Sequence, residues 1–278
     1  MQVVQSIKVA SWAWRGAFSM MLRPITWVPF LVVTAVQFAV LAILVLFDRP
    51  LILPMGLPLV QRLGGEAATH YPIFYYALPT LFSRVNLIIG TLVASVAGGT
   101  ATLLFARFWG LGSSDRAWRR AFRAAPKLIP LALLLLGILY GIGALVRLVP
   151  RDLMLDNAVV RWATRGGMLA VFVIVQSLLG YTTAWVVLMG HKLLPALRDS
   201  IKVTGITLLP TLLVVALPTA LLFPVSYATS RIDLIAEKLR PETTLALVSV
   251  QIVTELFCTF ILAGALTRLF VWRMETGR

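Results

Sequence analysis

The stretch Trp27–Phe47, WVPFLVVTAVQFAVLAILVLF, carries no charged residue and is long enough to cross a bilayer. About 20 apolar residues cover the hydrocarbon core, where backbone polar groups must be satisfied within the segment, so such a run folds as a helix. Five more runs share its character, at roughly 86–106, 128–149, 168–190, 205–225 and 246–268. The chain is therefore expected to be an all-α, polytopic membrane protein with six transmembrane helices, forming a single integral membrane domain over residues 1–278. Composition agrees: 59% of residues are hydrophobic, 13% are charged, and mean hydropathy is +0.91. So few charges could not cover a soluble protein of this size. The first run is followed by Asp48-Arg49-Pro50 rather than by small residues, so it is expected to be a retained helix and not a cleaved leader.

Basic residues are distributed unevenly between the two sets of loops. Residues 1–26, 107–127, 191–204 and 268–278 hold 15 basic and 3 acidic residues, against 10 and 7 in the opposite connections. This bias places both termini in the cytoplasm. It predicts a multi-pass protein of a cytoplasmic membrane. The net charge of +14 is assigned to orientation and to anionic phospholipid headgroups, not to nucleic acid. Arg147, Arg151, Arg161 and Arg165 cluster on the outer side against this trend.

A hexamer recurs: AWRGAF at 13–18 and AWRRAF at 117–122, each shortly before an apolar run. In the second copy Arg116, Arg119, Arg120, Arg123 and Lys127 share one helical face, and Trp118, Ala121, Phe122 and Ala125 share another. A basic stripe beside an aromatic one describes a cytoplasmic amphipathic helix whose guanidinium groups contact anionic headgroups. In the first copy Trp14, Ala17, Phe18 and Met21 repeat the apolar face. A third unit begins at Pro195–Ile201 and Lys202, so tandem helical-hairpin repeats over 1–112, 113–192 and 193–278 are expected.

The segments Ala117–Pro130 and Leu194–Gly205, the latter reading LPALRDSIKVTG, resemble a six-helix bacterial inner-membrane family. That family includes the YciC-like proteins and the membrane domain of some glycerophosphodiester phosphodiesterases. The resemblance implies a membrane-embedded accessory or lipid-associated role. The catalytic domain of the fused members is absent from these residues, so no enzymatic activity is carried over.

Ionisable groups inside a bilayer are costly and mark candidate sites. Glu255 lies near the centre of the sixth run, with Gln251 and Thr259 one turn away on the same face. Gln37, Tyr140 and Gln176 lie at similar depth in the first, third and fourth runs, beside Ser177 and near Ser95 of the second. Together Glu255, Gln251, Gln37, Tyr140 and Gln176 form a candidate polar site at the midplane. Gly90, Ala94, Gly98 and Thr102, and the pair Gly137 and Gly141, have the spacing of small-residue helix contacts. Residues 71–82, YPIFYYALPTLF, are too short to span and are expected to form an interfacial or re-entrant segment.

No Walker A, GxGxxG, HExxH, CxxC or GxSxG motif occurs, and Asp152 and Asp156 lie in an arginine-rich loop. A single cysteine, Cys258, and two distant histidines offer no metal set. No catalytic residue, metal or cofactor is expected, and the chain is read as a non-enzyme. The leading expectation is a lipid-associated or accessory (scaffold) protein that contacts phospholipids and other membrane proteins. The alternative is a membrane transport component with a polar midplane site around Glu255.

Overall fold

The computed structural model describes residues 2–111, 116–146, 158–229, 231–232 and 238–276. Arg147, Arg151, Asp152 and Asp156 lie outside them. The described residues are helical, and six helical stretches are long and apolar enough to cross a membrane.

Helix α1 (Gln2–Met20) precedes the first span, α2 (Pro24–Val45). A turn separates them, capped by the Thr26 hydroxyl, which donates to the carbonyls of Met20 and Arg23 at 3.0 and 2.7 Å. After the short α3 (Leu53–Gly64), the second span is α4 (Ile73–Ile89) running into α5 (Ser95–Phe108) through a π-helical turn at Gly90–Ala94. Helix α6 (Ala117–Val146) is the third span. The fourth consists of α7 (Ala158–Leu179) and α8 (Thr182–Leu188), and α9 (Leu193–Ile206) then leads into the fifth, α10 (Leu208–Thr229). The sixth, α11 (Thr243–Thr276), is the central column and packs on α1, α2, α4, α5 and α10.

The segment 71–82 corrects one expectation. It is not a separate element: from Ile73 it forms the beginning of a 36-residue helical stretch reaching Phe108. Phe74, Leu78, Leu81 and Phe82 recur at helical spacing and are buried against Leu41, Leu44, Val60, Val248 and Ile252. The aromatic residues that looked like headgroup anchors are partly core.

The repeated hexamer also differs from expectation. In both copies the two alanines, four apart, form the packed face: Ala13 and Ala17, like Ala121, are fully buried, and Ala117 is 5% exposed. Phe18 and Phe122 point outward, at 46% and 62% exposure. Small residues at this spacing let helices approach closely. Ala17 lies against Gly264 of α11, and Ala121 lies against Gly99 of α5. The copies are not framed alike, because α1 ends before α2 whereas the second copy continues as one 30-residue helix through Pro126 and Pro130.

Helix α9 uses a related face. Ala196, Ser200 and Thr204 are fully buried, and the two hydroxyls donate to the carbonyls of Leu178 and Ser177 at 2.7 and 2.9 Å. Those carbonyls belong to the last turn of α7, where the break at Gly180–Tyr181 removes helical partners. The neighbouring helix thus satisfies the break in the fourth span.

Candidate functional site

Three spans meet at Glu255. Gln251, one turn earlier on α11, donates from Nε2 to Glu255 Oε1 at 2.9 Å. From α2, Gln37 Nε2 donates to Glu255 Oε2 at 3.2 Å and to Asn86 Oδ1 of α4 at 2.9 Å. Both carboxyl oxygens are therefore held by amide donors, and Gln37 bridges two other helices. Hydrogen bonds between helices in a membrane contribute about 0.6 kcal/mol each on average, so this cluster aligns the helices without dominating their stability.

Glu255 opens into space on two sides. A cavity of about 450 Å³ lies between α2, α4–α5, α6, α7–α8 and α11, and Glu255, Gln37, Asn86 and Gln176 all line it. A second cleft, of about 530 Å³, is lined by Arg84, Asn86, Ser226, Thr229, Gln251 and Glu255. Glu255 and Asn86 belong to both walls. The first cavity is mostly apolar, with Phe30, Leu128, Leu131 and Leu256 among its walls.

The small-residue stripe on the second span turns out to be the wall of this cavity. Gly90, Ala94, Gly98 and Thr102 all line it, and a Cβ built on Gly90 or Gly98 would meet nothing within 4 Å. The stripe makes room and does not seat a neighbour. Close helix contact falls instead on Gly99, whose Cβ would lie 2.8 Å from Leu128. The Gly137 and Gly141 pair likewise has nothing within 4 Å of a built Cβ, so it is no packing motif here. The π-helical turn at Gly90–Ala94 borders the cavity, and such turns often occur at functional sites.

Of the five residues expected at the midplane, Glu255, Gln251 and Gln37 are joined by hydrogen bonds. Gln176 shares the cavity wall but not the network; its Oε1 is buried without a hydrogen-bond partner. Tyr140 does not belong: it is 70% exposed on the outer face of α6 and lines neither space. A tyrosine in an apolar helix marks depth but not direction. Two residues escaped the sequence reading. Asn86 begins the apolar run 86–106 and Arg84, which donates to the Leu63 carbonyl at the end of α3, precedes that run, yet both lie within the helical stretch Ile73–Phe108. An amide at the very start of an apolar run could have been tried as a partner for Gln37, but Arg84 carried no such sign.

The basic face of α6 is divided. Arg116, Arg119, Arg120 and Arg123 are exposed. Lys127 is committed within the protein: Nζ donates to the carbonyls of Gly190 and His191 at 3.2 and 3.3 Å. Gly190, at φ +73°, makes the turn that presents them, a conformation that favours glycine. His191 stacks on Trp185, with centroids 4.9 Å apart, and its Nδ1 lies 3.2 Å from Asp199 of α9.

Scans of this chain against protein-family models, curated proteins and solved structures return no match. The functional reading therefore rests on the residues and their geometry. Among the described residues no cluster of histidine, cysteine, aspartate or glutamate could hold a metal ion.

Proposed function

We propose that this protein is a membrane transport component that receives a small molecule inside the bilayer at Glu255. One observation carries the reading: a single carboxyl, held by amides from two helices, lines both a cavity and a cleft. A group that served only to hold helices together has no need of space on either side, and an intramembrane carboxyl with access to a cavity is a functional site by default. Gln251 and Gln37, the latter also bonded to Asn86, orient the carboxyl.

The proposed setting is a bacterial cytoplasmic membrane with both termini inside, supported by the lysine and arginine bias of the loops. A second reading, association with anionic phospholipid through Arg116, Arg119, Arg120 and Arg123, is favoured by the exposure of Arg119, Arg120 and Arg123 on α6 and of Arg116 just before it. Neither reading requires an enzyme.

The test is native mass spectrometry of wild-type protein and Glu255→Gln released from nanodiscs made with native lipid. A bound small molecule in the wild type that disappears from the variant, with thermal stability unchanged, is the expected result. Identical spectra and identical stability for the two proteins sink the transport reading.

A further inference from the structure

We propose that the molecule received in the cavity is a hydrophobic ammonium ion, a protonated amine carried on an apolar body; this rests on reading the Glu255 cavity as a binding site. Several polar groups around the cavity have their donors already in use. The hydroxyls of Thr102, Thr259 and Thr267 donate to the carbonyls of Gly98, Glu255 and Ala263 at 2.9, 2.6 and 2.7 Å, and Ser95 donates to Leu92 at 3.2 Å. Each hydroxyl oxygen keeps lone pairs that can only accept. Gln37 gives its amide protons to Asn86 and Glu255. Gln176 Oε1 is buried with no donor at all.

The wall thus offers many acceptors beside the amide groups of Asn86 and Gln176, and it contains no lysine, arginine or histidine. Arg84 lines the other cleft and not this cavity. A carboxyl in such a place carries its charge only beside a positive partner, since an unpaired charge in an apolar environment is costly. An ammonium group supplies both the charge and several N–H donors, whereas an anion would set a second negative charge beside the carboxyl with no cation in the wall. The rest of the lining, Phe30, Leu128, Leu131, Leu135, Leu256 and Leu262, accepts an apolar body. The volume, about 450 Å³, is that of an ordinary small-molecule pocket.

Three probes with one apolar body separate the possibilities: 1-adamantanamine, 1-adamantanol and 1-adamantanecarboxylate, titrated into the full-length protein in nanodiscs with empty nanodiscs as control. The amine is expected to bind and to raise the melting temperature. Glu255→Gln should weaken it at least about tenfold, the loss of one charge-assisted contact. Gly98→Leu, which fills open space while leaving the carboxyl intact, should also remove binding. The carboxylate should not bind. If the alcohol binds as tightly as the amine, or if Glu255→Gln leaves amine binding unchanged, the ammonium assignment fails while the cavity remains a binding site. Preference for the carboxylate overturns it too. If none of the three binds, the assignment falls together with the reading on which it rests.

Discussion

Gly16 on α1 lies so close to Arg268 on α11 that a methyl group in place of its hydrogen would overlap the guanidinium and its stem. The arginine runs through this gap to stack on Trp12, with its guanidinium carbon 3.9 Å from the ring centroid, and it reaches Trp109 at 5.8 Å. Its Nε is buried without a hydrogen-bond acceptor, so the aromatic faces are its visible compensation. A glycine inside α1 costs helix stability but opens the path for the cation.

Gly16→Ala should therefore destabilise the protein by about 1–3 kcal/mol, the usual cost of overpacking. Arg268→Ala should relieve much of that cost in the double variant. Thermal unfolding of the two single variants and the double variant, with Trp12 fluorescence as a local report, measures the coupling. Additive effects would show that the two residues do not share this space.

Neighbouring glycines on α5 should behave oppositely. At Gly98 a side chain enters open space, so Gly98→Ala should leave stability unchanged or raise it by up to about 1 kcal/mol through helix propensity. At Gly99 it would strike Leu128 and Val187, so Gly99→Ala should cost about 1–3 kcal/mol. Melting temperatures of the two variants in the same detergent decide the matter.

Lys127 ties α6 to the turn after α8 through the carbonyls of Gly190 and His191. Lys127→Met keeps most of the apolar stem and removes the donor, and should cost about 1–3 kcal/mol by leaving those carbonyls without it. Hydrogen exchange should rise around residues 190–192 and not in α2. Headgroup binding should be nearly unaffected by Lys127→Met and should fall when Arg116, Arg119 and Arg123 are changed to glutamate. Liposome flotation with anionic and neutral vesicles separates the two effects.

Thr204→Val and Ser200→Ala should each loosen the break in the fourth span, since the carbonyls of Ser177 and Leu178 lose their donors. A loss of about 1 kcal/mol per variant is expected. If both variants match the wild type in thermal unfolding, water or lipid replaces the hydroxyls and the packing of Ala196 alone holds α9.

The sixth span shows what could be read from the chain alone. Its run of apolar residues marks a membrane helix, and Gln251 and Glu255, one turn apart, must share a face because the helix repeat is a local property. Their 2.9 Å hydrogen bond is that prediction realised. The third span shows the limit. Hydropathy put Tyr140 within an apolar run, yet the residue is exposed and lines neither space around Glu255. Lipid and protein interior are equally apolar, so no contrast along the helix says which side faces inward. The glycine stripe of the second span is ambiguous for the same reason: small residues either admit a neighbour or leave a groove, and the pattern is the same in both cases.

Six spans, the class of the protein and the pairing along α11 are consequences of local sequence, because backbone satisfaction in lipid and the 3.6-residue repeat leave no alternative. Only the tertiary structure decided that Gln37 and Asn86 come to Glu255, that Gly98 opens a cavity while Gly99 closes a contact, and that Arg268 threads past Gly16. Those relationships depend on how each helix is rotated about its own axis. In an apolar solvent that rotation is set by the fit of side chains against neighbouring helices, which no single segment contains.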